Sequence, residues 1–236
     1  MSTHEEPKVA GEVHVNDHNG YNSGQHLNVY NSRQPGFPIY GPKKKANPGP
    51  LGLFCFASTT LLLSFINVKA RHLAEPNIVT GLAFALGGAG QFLAGILEFC
   101  VGNTFGLTAF VSYGGFWISV GFLFWPSSGM LAAYKGTDLD QALGLFMMVW
   151  FVFTTLMLLA TFRSSAGLVA VFFFLSLTFL LLGIGYLLVK PVILKAAGYF
   201  GIVTAACAYY TALHGLLTAE AAPFGIPNPS LARKED

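Results

Sequence analysis

Asn47-Pro48-Gly49-Pro50-Leu51-Gly52-Leu53 is the point at which this chain changes character, from a polar tail before it to one long apolar segment after another beyond it. Pro48 and Pro50 lack N–H groups and hold φ near −65°. Pro50 therefore suits the first turn of a helix, and Gly49 permits a tight entry. A helix starting here leaves the N–H groups of Leu51, Gly52 and Leu53 without partners of their own. They are expected to be free to face an anionic group, with the Asn47 side chain beside them.

Upstream, residues 1–46 are rich in His, Asn, Gly, Ser and Pro and show no apolar period. Such a stretch cannot offset the entropy of ordering, so a disordered tail is expected. It has no apolar core of a cleavable signal, and Glu5, Glu6 and Asp17 argue against a mitochondrial presequence. The scattered His4, His14, His18 and His26 are expected to be solvated, and no metal or other cofactor is implied. Lys43-Lys44-Lys45, on the flank of the first apolar segment, favours a cytoplasmic tail.

Downstream, composition decides the class. Of 236 residues 53% are hydrophobic and 10% charged, against ~25% charged in soluble domains. Six segments approach the ~20 apolar residues a spanning helix needs: Leu51 to Val68, Ile78 to Leu97, Phe105 to Trp125, Gln141 to Thr161, Ala166 to Val189 and Val192 to Thr218. The predicted fold is an all-α integral membrane protein, six transmembrane helices in a compact bundle over 47–220, with a short C-terminal tail over 221–236. An even number of spans places both termini on one side. Basic residues between the segments bias this only slightly, and the lysine triplet decides for the cytoplasm. A net charge of +2 with no basic patch excludes nucleic acid as a partner; the partner implied is the lipid bilayer.

Cys55, Cys100 and Cys207 lack ligand spacing and are expected as small core residues. Gly87, Gly88, Gly90 and Gly95 in the second segment, and Ala197, Gly201 and Ala205 in the sixth, form stripes that let helices approach closely. These stripes fit packing within one subunit and contact between subunits equally well. Trp125 and Trp150 are expected as interface anchors.

No nucleophile triad, phosphate loop or metal cluster has a believable context, so the chain is not expected to be an enzyme. Polar residues instead lie along helix faces, which in a membrane marks a path or an interhelical contact. Phe56, Thr60, Leu63 and Asn67 share one face of the first segment. Gly87, Gly88, Gln91, Gly95 and Glu98 share one of the second. Glu98 is a candidate proton site, and His214 is expected as a hydrogen-bonded helix-end residue. The segments have no Lys or Arg in their interiors, so a carboxylate anion crossing them meets no fixed cation. It must pass as the neutral acid, or be held by hydroxyls, amides and helix N-termini.

The opening stretch resembles the signature of the acetate uptake transporter family, which includes bacterial succinate-acetate permeases and fungal acetate and ammonia-export proteins. Gly49 stands where a small residue such as Ala is usual. The block from Gly102-Asn103-Thr104-Phe105-Gly106-Leu107-Thr108 to Tyr113-Gly114-Gly115-Phe116-Trp117 resembles the family too. The likeness covers Asn47 to about Glu220. It implies six helices, a pathway in each protomer, hexamer assembly, and proton-linked passage of acetate and related small carboxylates, succinate among them, across the plasma membrane. It also implies a hydrophobic constriction, here Phe56, Tyr113 and Leu177, with Asn47, Thr60, Gln91 and Glu98 as polar members of the route. Two other classes stay open: a non-transporting membrane sensor that uses the tail, and an ammonium-export-related or small neutral solute channel. An aquaporin-like channel is disfavoured, because the second Asn-Pro pair, Asn228-Pro229, falls in the C-terminal tail.

Overall fold

The structure, a computed structural model, describes residues 46–73, 75–218 and 222–233. The tail expected to be disordered lies outside the described residues, save Ala46. Among the described residues six helices are long and apolar enough to cross a membrane: α1 Gly49–Asn67, α2 Val79–Cys100, α3 Thr104–Phe124, α4 Asp138–Thr161, α5 Ala166–Leu187 and α6 Pro191–Leu216. Two boundaries differ from expectation for a chemical reason. α4 begins at Asp138, because Asp138 and Asp140 in its first turn suit the positive end of a helix although they break an apolar run. α2 runs to Cys100 and so takes Glu98 inside the helix. α6 carries Lys195 near its start, exposed at the end of the bundle.

Within α2, residues Ala83–Gly90 form a π-helical stretch, in which each N–H reaches back five residues rather than four. The wider turn shifts Gly87 and Gly88 relative to Gln91, Gly95 and Glu98, which lie beyond it in the regular stretch Gln91–Cys100. The three glycines lie against α3: an added Cβ would stand 2.6 Å from Trp117 at Gly87, from Ile118 at Gly88 and from Val111 at Gly95. Gln91 and Glu98 turn to the bundle interior instead.

Around the bundle α4 packs on α5, α5 on α6, α6 on α1, α1 on α2 and α2 on α3. Gly198 and Gly201 of α6 meet Asn67, Val68 and Ser64 of α1, so that small-residue stripe serves contact within the subunit. The ring closes between α3 and α4 through side chains rather than close backbones. Trp150 of α4 lies 4.9 Å from Phe116 and 5.7 Å from Tyr113, centroid to centroid. Trp150 is thus part of the aromatic core near the middle of α4 and not an interface anchor; Trp125, 46% exposed, remains at a helix end.

Residues 222–233 return to the bundle. Leu231 N–H donates to Ser164 O at 2.9 Å, Ala166 N–H to Pro229 O at 3.0 Å and Gly167 N–H to Asn228 Oδ1 at 2.9 Å. Within the C-terminal tail, residues 228–231 are therefore hydrogen-bonded to the start of α5. His214 Nδ1 lies 2.7 Å from Ile226 O, the hydrogen-bonded role expected of it.

Candidate functional site

Odd-numbered helices of an up-and-down bundle all start at one end, and here the starts of α1, α3 and α5 surround one cavity. It is lined by Gly49 and Leu53, by Phe105 and Gly106, and by Leu168, each from the first turns of one of those helices. Gln91 and Glu98 line it from α2, and Phe56, Tyr113, Phe172 and Leu175 lie deeper. Its open volume is about 100 Å³, room for several waters where ~10–15 Å³ admits one. Beyond it lies a second cavity of about 30 Å³, lined by Phe56, Thr60, Leu63, Ser64, Asn67, Trp117, Thr178 and further residues of α3 and α5. Phe56 and Leu175 belong to both walls and so divide the two spaces.

Polar atoms without protein partners concentrate here. Gln91 is 1% exposed and its Oε1 has no hydrogen bond; Thr60 Oγ1 and Trp117 Nε1 on the second cavity also have none. A buried polar atom left so costs ~1–3 kcal/mol unless water or a solute meets it. The Tyr113 hydroxyl, by contrast, is held by Thr154 Oγ1 at 2.8 Å.

Glu98 occupies the anion-attracting place that helix starts create. Asn103 Nδ2 donates to Glu98 Oε2 at 2.7 Å, while Asn103 Oδ1 accepts the Gly106 N–H at 3.0 Å and caps α3. An added Cβ on Gly49 would stand 3.5 Å from Glu98 Oε1, so the carboxyl also faces the start of α1. No lining residue of either cavity is cationic.

The opening motif is arranged differently from expectation. Gly49 N–H donates to Asn47 Oδ1 at 3.0 Å and Gly52 N–H to Pro48 O at 3.3 Å, so Gly52 has no free donor. Leu53 N–H falls one turn past Gly49 in a regular helix and is used within it. Among the three, Leu51 alone stands at a position without an intrahelical acceptor. Leu51 and the exposed Asn47 line a surface groove with Leu97, Cys100 and Val101, outside the bundle interior. Gly52 is buried against the Phe110 ring.

A model of the GPR1/FUN34/yaaH family matches residues 30–233. The chain belongs to this family. Acetate permease A of Emericella nidulans is 45% identical over 207 residues, covering 82% of this chain and 70% of the relative. The succinate-acetate/proton symporter SatP of Escherichia coli K12 is 40% identical over 178 residues, covering 75% and 92%. A solved structure of the bacterial acetate channel SatP is 39% identical, with a TM-score of 0.67, over 74% of this chain and 93% of that one.

In this family member the site expectations separate. Phe56, Gln91, Glu98, Leu53 and Tyr113 meet on the first cavity, and Thr60 on the second. Asn47, Leu51 and Gly52 lie outside both. Leu177 is half-buried and lines neither; Leu175 stands beside Phe56 instead. The helical period explains the correction, since Leu168, Val171, Phe172 and Leu175 recur at three and four residues on one face, whereas Leu177 falls two residues beyond it. Asn103 lines the first cavity and Trp117 the second; neither was singled out from the sequence by itself, although an Asn before an apolar run is a helix-start signal.

Proposed function

We propose that the protein carries acetate and related short carboxylates, succinate among them, across a membrane together with a proton. The observation that carries this is a cavity surrounded by three helix starts, whose partial positive charge draws an anion, with no lysine or arginine in its wall. A carboxylate can gather there but cannot be buried further as an anion without a cation to pair it. Glu98, already in that field, is the group placed to hold or pass the proton that neutralises it. Gln91 Oε1 then accepts the O–H of the neutral acid, and Phe56 and Leu175 bar wide solutes. The names of the relatives support the substrate class and the proton.

The site of action on this reading is the plasma membrane, with both termini cytoplasmic and protomers joined as a homo-oligomer, a hexamer by family likeness. Each protomer holds its own cavities, so assembly positions the pathways rather than completing them.

Labelled acetate uptake into proteoliposomes, corrected for protein-free vesicles, tests this. A carboxyl group has a pKa near ~4, so its neutral form is about a hundredfold scarcer at pH 7 than at pH 5. Protein-dependent uptake is expected to be more than about tenfold faster at pH 5; equal rates at both would remove the proton from the mechanism, and no uptake at either would remove acetate. Phe56→Ala joins the two cavities and is expected to admit butyrate at a rate approaching that of acetate. An unchanged acetate-to-butyrate ratio would show that Phe56 is not the barrier.

A further inference from the structure

We propose that residues Ile226–Leu231 are a strap that sets the position of the α5 wall of the transport cavity. The first turn of α5 has three N–H groups with no intrahelical acceptor. Leu168 N–H is met by Ser165 Oγ at 3.3 Å, a local cap. The other two are met from the far end of the chain: Ala166 N–H by Pro229 O and Gly167 N–H by Asn228 Oδ1. Ser165 and Ser230 pair as an antiparallel bridge beside them. The strap is fixed in turn to α6, where the Tyr210 hydroxyl donates to Pro227 O and His214 Nδ1 lies against Ile226 O.

Gly167 makes this contact specific, since an added Cβ would stand 2.5 Å from Thr211 Oγ1 and 3.0 Å from Asn228 Oδ1. One residue on, Leu168 begins the face that continues through Val171, Phe172 and Leu175 along the cavity. The strap lies outside all six spans yet fixes the end of the helix that carries Leu175. Asn228 is a positioning residue: its carbonyl oxygen, not its contact with any solute, does the work. The selectivity consequence rests on the carboxylate-transport reading, whereas the capping consequence does not.

The test uses the full chain in nanodiscs and proteoliposomes. Asn228→Ala removes the acceptor and Asn228→Asp retains one. Asn228→Ala is expected to raise hydrogen exchange at Ala166–Leu168 roughly fivefold, the equivalent of a lost cap of about 1 kcal/mol, and to shift the acetate-to-propionate uptake ratio about threefold or more. Asn228→Asp is expected to restore both, and Tyr210→Phe, which loosens the strap but leaves the cap, to shift the ratio in the same direction by less. Unchanged exchange in a folded Asn228→Ala protein would overturn the strap. So would faster exchange with equal loss of acetate and propionate uptake, which is a stability effect alone. Failure of both Asn228→Ala and Tyr210→Phe to fold would make the segment a folding determinant and likewise overturn it. If the wild type carries neither acid, the transport reading fails, and the exchange measurement still decides the cap.

Discussion

Gly201→Leu is expected to leave less than about a tenth of the wild-type amount of folded protein in the membrane, by size exclusion after detergent extraction. Gly201 is where α6 crosses α1, and a Cβ there would overlap Ser64 Oγ. One turn away, an added Cβ on Gly198 would stand 3.0 Å from the Val68 backbone nitrogen, so α1 cannot yield by turning side chains alone. Ordinary overpacking costs ~1–3 kcal/mol, but here two spans must separate along their shared length and lose the contacts that hold lipid-solvated helices together. Gly115→Leu makes the same change at a position where an added Cβ meets nothing within 4 Å, and is expected to fold normally. The milder Gly201→Ala should be partly restored by Ser64→Gly, because the second change removes the atom in the way. Wild-type amounts of folded Gly201→Leu would mean that the α1–α6 contact is not close-packed.

The bundle was legible because lipid leaves few choices: long apolar runs must be helices, and short links make neighbours antiparallel. The alternation that follows also brings the starts of α1, α3 and α5 to one end, although only the first was singled out. What periodicity could not show was the π-helical stretch Ala83–Gly90, where the sequence has a continuous small-residue pattern and the bonding register changes. A regular helix places Gly87, Gln91 and Glu98 on one face; the structure gives the glycine to Trp117 and the two polar groups to the cavity. The opening motif was misjudged for a related reason. Helix starts have free donors on average, but Asn47 and Pro48 sit close enough to fill those of Gly49 and Gly52 locally. The C-terminal strap was not legible, since residues 226–231 are too short a run to carry a helical period and their bonds to the start of α5 span more than 60 positions.

Gln91→Leu is expected to lower acetate uptake by more than about tenfold while leaving thermal stability equal to the wild type or higher. The two effects have opposite signs for one reason. Gln91 is 1% exposed and its Oε1 lacks a partner, so the fold bears the desolvation of that atom and receives nothing for it. Leu fills much the same space without the polar atom, and replacing an unsatisfied buried group by an apolar one is neutral or favourable. On the proposed route a carboxylic acid needs the acceptor, because its own O–H must leave water to pass Phe56 and Leu175. Leaving that O–H unmet in a dry site costs ~1–3 kcal/mol, and ~1.4 kcal/mol corresponds to a factor of ten. Gln91→Asn keeps the amide but retracts it by one methylene, and is expected to fall between the two. A Gln91→Leu protein that is less stable than wild type would show that the side chain holds the fold together. One that is stable and still carries acetate at the wild-type rate would show that the acid never touches it.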